Sequence, residues 1–290
     1  MSIAAQIYIL CDGNEKIGFG HIRRSQTLAS QLVRDGSSVH VICNSYQPSV
    51  LSSLMTVDSS RPKIIIFDTP LDIDEKLNSL AKQGQLTITL DYFGDALPDV
   101  NIAVFAHQPV RAKRAAYIGF EYIMIRDEIS ILGSAPYTRS SGRVMVMIGG
   151  GDILGQGHLA AQALAQSGCK VTLIQGPYAL GYSRPTDYEV CNNPSNLPEL
   201  FAGSDWAVTN GGGSLFEGLC LSKAVHVLPQ TEAENRIARY VHSQGGLLGV
   251  GLNSLRAYSM NEVNKITSMA GYFVDGLGAQ RVSKIVRSWL

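Results

Sequence analysis

His21 follows a short glycine-rich segment, and this combination of residue types could do chemistry on a phosphorylated substrate. Gly18-Phe19-Gly20 precedes it where a helix is predicted to begin. Backbone N–H groups at a helix start are unpaired and carry the positive end of the helix dipole, so they suit a phosphate. That dipole favours a neutral imidazole able to accept a proton, whereas a bound pyrophosphate would favour the imidazolium. We favour a catalytic His21; the alternative is a histidine that caps its own helix.

Two further glycine segments also follow predicted strands and precede predicted helices, namely Gly149–Gly151 and Gly211–Gly213. Each could hold a phosphate, and the alternative for each is a tight turn without a ligand. Ser214 and Glu217 also fit a capping box, with serine at the N-cap and glutamate three residues later.

Other nucleotide and metal motifs are absent or incomplete. Arg23 stands where the third glycine of a nicotinamide fingerprint belongs, and the second strand ends at Cys43-Asn44 without an acid for the ribose. There is no phosphate-loop lysine motif and no serine nucleophile elbow. Asp72-Ile73-Asp74 could hold a divalent metal, but it follows Pro70 at a predicted helix start, where acids complement the dipole. We predict neither a metal nor a cofactor.

The other histidines are weaker candidates. His40 and His226 stand within apolar runs and are predicted to be core residues with satisfied hydrogen bonds. His158 and His242 are predicted to lie on helices, and His107 follows the end of a strand.

Composition limits the class of protein. The chain has 290 residues, enough for about two domains, with 24 basic and 24 acidic residues and a net charge of zero. This balance argues against a nucleic-acid partner and against a polybasic membrane surface. The five cysteines show no C-x-x-C pair, and no segment has the ~18 apolar residues of a membrane span. We expect a cytoplasmic monomer or weak dimer without stable membrane insertion.

Short apolar runs alternate with helical periodicity, which is typical of an α/β fold with mostly parallel sheets. The segment Gly133–Gly142 is rich in glycine, serine and proline and predicts a linker. We therefore expect two Rossmann-like domains facing a central cleft. The predicted strands are Ile7–Cys11, Val39–Cys43, Lys63–Asp68, Gln85–Asp91, Arg143–Ile148, Lys170–Gln175, Asp205–Thr209 and Ala224–Leu228. The predicted helices are 22–33, 154–166, 214–221, 232–243 and 279–290, with Val33 and Leu290 on apolar faces.

Four segments, in order along the chain, resemble a known family. IGFGHIRRSQTLASQL (17–32), with Asp12 upstream, resembles the I-G-x-G-H-x-x-R-x-x-x-L-A signature of the UDP-sugar hydrolases of pseudaminic acid biosynthesis. Residues 117–129 and 144–152 resemble that family's G-x-x-Y-x-x-L-R-x-E-F and G-G-S-D segments. Residues 207–229 resemble a block shared with the wider GT-B glycosyltransferase superfamily, which includes the peptidoglycan N-acetylglucosaminyltransferase.

The resemblance implies a GT-B fold and metal-independent hydrolysis of a UDP-linked amino or deoxy sugar at its anomeric carbon, with His21 activating water. Residues 1–137 would form the sugar-binding and catalytic domain, 143–277 the UDP-binding domain, and 278–290 a helix crossing back. The glycine loops would hold the pyrophosphate, Glu217 the ribose, and the backbone at Asn196-Leu197 the uracil. The implied substrate-binding residues are Asp12, Gly18, Phe19, Gly20, Arg24, Asp91, Gly150, Asn196, Leu197, Gly211, Gly212, Gly213, Ser214, Glu217, Glu232 and Asn235.

The segments facing the sugar depart from the family. Asp68-Thr69-Pro70 stands where the family has aspartate-histidine-tyrosine, and His107-Gln108-Pro109 replaces an asparagine-glutamine-asparagine stretch. These departures motivate a second hypothesis, a GT-B glycosyltransferase with a UDP-sugar donor. A third is a nucleotide-sugar binding protein without catalytic activity.

Overall fold

The computed structural model describes residues 6–14, 18–43, 63–133, 142–149, 152, 154–176 and 187–290. These residues form two compact units, each built on one parallel sheet. Unit 1 comprises Met1–Arg126 with Gly276–Leu290, and unit 2 comprises Asp127–Asp275. The boundary thus lies at Arg126, upstream of the segment 134–141, most of the predicted linker, which is outside the described residues.

The elements follow one another in α/β order. The strands are β1 (Gln6–Cys11), β2 (Ser38–Cys43), β3 (Lys63–Asp68), β4 (Leu86–Leu90), β5 (Val100–Ala103), β6 (Ala115–Ile118), β7 (Arg143–Met147), β8 (Lys170–Gln175), β9 (Glu189–Asn192), β10 (Trp206–Thr209), β11 (Ala224–Val227) and β12 (Gly249–Val250). The helices are α1 (Gly20–Arg34), α2 (Asp74–Lys82), α3 (Asp127–Gly133), α4 (Gln156–Gln166), α5 (Leu197–Ala202), α6 (Gly213–Cys220), α7 (Glu232–Ser243), α8 (Met260–Ala270) and α9 (Gly278–Arg287). Short 3-10 turns cover Phe120–Tyr122 and Leu252–Ser254.

The sheet of unit 1 has the strand order β2-β1-β3-β4-β5-β6, and all its pairs are parallel. Both faces are covered, which explains why its inner strands are continuous apolar runs. One face packs on α1 and α9, through Leu28, Leu32, Val282 and Val286, and the other packs on α2. The chain leaves β1 in opposite directions toward β2 and β3, so the carboxyl end of the β1–β3 pair is the topological switch point, where α/β sheets bind ligands.

The sheet of unit 2 has the order β12-β11-β10-β7-β8-β9, again with parallel pairs. Numbered from β7, this is the 3-2-1-4-5-6 order of the dinucleotide-binding fold, with its switch point between β7 and β10. Trp206 and Val208 on β10 and Ala160 and Leu164 on α4 are central to its core. The predicted α/β class with two Rossmann-like, parallel-stranded halves is confirmed.

Three local predictions are wrong. His40 is exposed rather than buried, because β2 is the edge strand of its sheet and the ring lies against Tyr8, with centroids 5.1 Å apart. Val33 is 58 % exposed at the end of α1, and Leu290 is 54 % exposed beyond the end of α9.

The predicted capping box at Ser214 is also wrong, because α6 begins one residue earlier with Gly212 at its N-cap and no side-chain cap. Unit 2 has its complete capping box at Ser259 and Glu262, at the start of α8. No helix within the described ranges is both long enough and apolar enough to span a membrane.

His226 fulfils its prediction as a core residue of unit 2. It is fully buried, its Nε2 donates to the carbonyl of Gly251 at 3.0 Å, and its Nδ1 accepts from the Tyr258 hydroxyl at 2.8 Å. Burial lowers the pKa of His226 to about 4.

This lowered pKa makes the stability of the protein depend on pH. The unfolded chain, in which histidine has a pKa of about 6.5, takes up the proton first as the pH falls. We therefore expect the free energy of unfolding, measured with urea, to fall by roughly 3 kcal/mol between pH 7 and pH 4. His226→Gln should lower the stability at pH 7 and flatten this dependence, whereas the exposed-histidine control His40→Gln should keep it. An equally steep fall in His226→Gln would contradict the assignment.

Candidate active site

His21 lies where two neighbouring strands of unit 1 end. It is the second residue of α1, which follows β1 after a loop, and its Nδ1 lies 2.7 Å from Oδ1 of Asp68, the last residue of β3. Cys11 and Asp68 are register partners at the ends of β1 and β3. The parallel pairing of β1 with β3 therefore brings together two residues that are 47 positions apart.

Asp68 is a fully buried carboxylate with several donors. Besides His21, it accepts from Arg24 Nε at 3.0 Å, from Arg24 Nη2 at 2.5 Å and from the Ser25 hydroxyl at 3.1 Å. Its side chain is 0 % exposed. Burial acts to raise the pKa of Asp68, but the charge of Arg24 and the hydrogen bonds from His21 and Arg24 outweigh it and lower the pKa to about 2. Asp68 is therefore ionised at neutral pH.

The ionised carboxylate fixes the tautomer of His21. A carboxylate only accepts hydrogen bonds, so the imidazole donates through Nδ1, and in the neutral ring the lone pair therefore lies on Nε2. The side chain of His21 is 25 % exposed. Nε2 has no hydrogen-bond partner among the described residues. A partly exposed imidazole ring oriented by a buried acid is suited to general-base catalysis.

Arg24 extends the network to the next strand. It forms an ion pair with Asp91, which follows β4 and has a positive φ of 51°. Asp91 in turn accepts from the backbone N–H of Val104 at 2.8 Å, beyond the end of β5. Burial acts to lower the pKa of Arg24, but the charges of Asp68 and Asp91 raise it. Arg24 and Asp91 thus connect the carboxyl ends of β3, β4 and β5 near His21.

The first glycine loop leaves the start of α1 without a side-chain cap. Phe19 is the N-cap residue, Gly20 is exposed, and Gly18 has a φ of +75°, in the left-handed region. Asp12, at the end of β1, is buried. Sequence reasoning placed these residues together with His21, Arg24 and Asp91, and the structure brings them to one end of the unit 1 sheet.

Asp68 and Ser25 were missed as site residues. The signal for Asp68 was present, because an acid ends the strand that pairs with the strand preceding the glycine loop. In the family pattern, Asp68 coincides with the aspartate, and the departures are Thr69 and Pro70.

The two glycine loops of unit 2 differ in what lies at their helix starts. The Asp152 carboxylate accepts from the backbone N–H groups of Gln156 and Gly157, both at 2.8 Å, and so occupies the start of α4 as a bound anion would. Gly150 lies outside the described residues. The start of α6, by contrast, has Gly212 at its N-cap and no side-chain cap. Gly211, Gly212, Gly213 and Ser214 therefore form the better candidate for an anion site in this unit.

The other predicted residues of unit 2 are placed as follows. Glu217 is half-buried within α6. Asn196 is the exposed N-cap of α5, next to Leu197.

Glu232 and Asn235 bond to each other on α7, with Glu232 3.5 Å from Arg236 and Asn235 3.1 Å from Arg239. The α7 residue that reaches the glycine loop is Glu234, which sequence reasoning missed. In the described part of the chain, no cluster of three or more His, Cys, Asp or Glu residues could hold a metal ion.

Solved structures with a similar fold include proteins named as glycosyltransferases. Acinetobacter baumannii MurG matches with a TM-score of 0.67 at 10 % identity, covering 98 % of this chain and 99 % of that chain. The glycosyltransferase SnogD from Streptomyces nogalater matches with a TM-score of 0.62 at 14 % identity and the same coverages. Anabaena HepE, solved in complex with UDP and glucose, matches with a TM-score of 0.56 at 13 % identity, covering 98 % and 100 %. The chain has the GT-B fold.

A comparison of sequences adds an uncharacterized relative. No family model matches the chain. The uncharacterized protein MJ1062 of Methanocaldococcus jannaschii is 22 % identical, over 79 % of this chain and 56 % of its own length. The chain thus spans little more than half of the curated relative that it matches.

Replacing the buried carboxylate tests the network. Asp68→Asn should lower the free energy of unfolding at pH 7 by about 3 kcal/mol, because the amide offers one acceptor oxygen where several donors converge and leaves Arg24 with less compensation. The matched control is Asp95→Asn, which removes an exposed ion pair with Arg111 and should change stability by less than about 1 kcal/mol. The free energy of unfolding of both variants is measured with urea. If Asp68→Asn were as stable as Asp95→Asn, Asp68 would not organise the site.

Proposed function

We propose that the protein is a glycosyltransferase-like enzyme that breaks the bond between UDP and a sugar at the anomeric carbon, with His21 as general base. The observation that carries this proposal is the orientation of His21 by ionised Asp68 at the switch point of the unit 1 sheet. Two findings support it: the GT-B fold, and solved structures of HepE that contain UDP or UDP-glucose.

The proposed step is a substitution at the anomeric carbon in which UDP is the leaving group. Nε2 of His21 accepts the proton of an attacking hydroxyl, whose oxygen forms a bond to the anomeric carbon. The bond from that carbon to the β-phosphate oxygen breaks, and its electron pair leaves with UDP. Asp68 accepts the hydrogen bond from Nδ1 throughout and stabilises the imidazolium that forms, while Arg24 and Ser25 hold Asp68 in place. The proton then passes to solvent.

Unit 2 is proposed to bind UDP through the start of α6. Its uncapped N–H groups and the positive end of the helix dipole suit a diphosphate, and they would stabilise the negative charge that develops on the leaving UDP. The proposed ligand residues are Gly211, Gly212, Gly213 and Ser214, with Glu217 for the ribose and the backbone of Asn196-Leu197 for the uracil. Such a site uses no metal ion.

Two forms of this function are possible, and they differ in the nucleophile that attacks the anomeric carbon. Transfer to the hydroxyl of an acceptor is the main proposal, because SnogD and CalG4, both named as glycosyltransferases, share the fold over nearly the whole chain. Hydrolysis is the second candidate, favoured by the glycine-histidine segment at 17–32 with its resemblance to UDP-sugar hydrolases. The dyad of His21 and Asp68 can take a proton from either a sugar hydroxyl or water.

Removing the base tests its role. His21→Asn should reduce turnover of the accepted UDP-sugar by about 100-fold or more, because the substitution removes the nitrogen that accepts the proton in the proposed step. Its affinity for UDP, measured by calorimetry, should stay unchanged, and the exposed-histidine control His40→Asn should keep full turnover. Normal turnover in His21→Asn would overturn the proposed mechanism.

Product ratios distinguish transfer from hydrolysis. We expect the protein to release UDP slowly from a panel of UDP-sugars alone and faster when saccharide acceptors are added, with less free sugar formed than UDP. Hydrolysis would instead give equal amounts of UDP and free sugar with or without an acceptor. UDP affinity without any turnover would indicate a binding protein and contradict both enzymatic forms.

A further inference from the structure

The Glu234 carboxylate joins two loops of unit 2. Its Oε1 accepts from Nδ2 of Asn210 at 2.6 Å, and its Oε2 accepts from the backbone N–H of Gln230 at 2.7 Å. Asn210 follows β10 and begins the glycine loop, whereas Gln230 lies in the loop between β11 and α7. One side chain thus ties together the chain segments that leave two neighbouring strands.

The position of Glu234 at the start of α7 suggests an ordinary capping box, since Thr231 and Glu234 have the right spacing. Thr231 does accept from the backbone N–H of Glu234, at 3.2 Å. In the complete capping box of α8, however, the Glu262 carboxylate accepts from the backbone N–H of its own N-cap residue, Ser259. The Glu234 carboxylate accepts instead from Gln230, one residue before the N-cap, and from Asn210, 24 positions away. Local capping therefore does not account for the bond to Asn210.

The glycine loop also packs directly on the first turn of α7. A Cβ on Gly211 would lie 2.7 Å from both the Cβ and the backbone oxygen of Glu234, so only glycine fits there. A Cβ on Gly212 would lie 3.2 Å from Oε1 of Glu234 and 3.2 Å from Nδ2 of Asn210. The path of the loop into α6 is therefore set by contact with Glu234.

We propose that Glu234 is a positioning residue, which holds the glycine loop so that the N–H groups at the start of α6 are free for a diphosphate. This inference rests on the proposed binding of UDP by α6. Because both carboxylate oxygens are engaged by Asn210 and Gln230, Glu234 does not cap α6 itself. Glu234 acts through the loop and contacts no phosphate.

The test compares UDP with uridine, which lacks the diphosphate. Isothermal titration calorimetry of the wild-type protein should give tighter binding of UDP than of uridine. Glu234→Ala should weaken UDP binding by about tenfold, equivalent to about 1.4 kcal/mol, and leave uridine binding unchanged. Glu234→Gln keeps one acceptor oxygen, so its UDP affinity should fall by less; it also serves as the test protein should Glu234→Ala not fold.

The matched control is Glu262→Ala, which removes the capping box of α8 and the ion pair between Glu262 and Arg256. It should lower the thermal midpoint and leave the ratio of the UDP and uridine affinities unchanged. The inference would be overturned if both Glu234 variants kept the wild-type ratio of UDP affinity to uridine affinity. It would also be overturned if the affinities for UDP and uridine fell equally. Equal affinities of the wild-type protein for UDP and uridine would instead overturn the proposed diphosphate site, and the inference with it.

Discussion

The burial of one negative charge, on Asp68, governs the architecture at the carboxyl end of the unit 1 sheet. A carboxylate removed from water is strongly destabilising unless it is paired and hydrogen-bonded. Here the compensation comes from the first turn of α1, where His21, Arg24 and Ser25 lie on the same side of the helix. These donors reach Asp68 only if α1 starts beside the β1–β3 pair. The same compensation makes Asp68 acidic and so determines which nitrogen of His21 is basic.

The structure separates three helix starts that look alike in sequence. Each follows a glycine-rich loop, yet their N–H groups meet different partners. At α4 the Asp152 carboxylate takes two of them. At α6 the nearest carboxylate, Glu234, is held by Asn210 and Gln230. An anion site therefore depends less on the glycines than on where the neighbouring acids are directed.

The geometry at His21 explains why fold alone does not specify the reaction. In the proposed function, His21 held by Asp68 is a base of fixed orientation, and such a base accepts a proton from water or from a sugar hydroxyl. Transfer and hydrolysis share the leaving group and the attacked carbon, and they differ in which hydroxyl reaches that carbon. The GT-B fold is consistent with both, since function lies in the site rather than in the fold.

The sequence by itself determined the class of fold and located eight of the twelve strands and five of the nine helices in the described residues. Apolar runs and helical periodicity are local patterns, and β3, β8 and α7 were predicted to the residue. It also indicated His21 as a candidate catalytic residue, because a histidine directly after a glycine loop is a local signal. Local patterns failed where position in the sheet mattered, as at His40 on the edge strand.

Only the tertiary structure decided which side chains meet. The pairing of His21 with Asp68 depends on β1 lying next to β3, and the sequences of these two strands do not specify the strand order. Glu234 contacts the glycine loop and Glu232 does not, because of which side of α7 packs against that loop. The two residues are only two positions apart along the helix. Such contacts arise from long-range packing, where a small change in helix phase or strand neighbour replaces one partner with another.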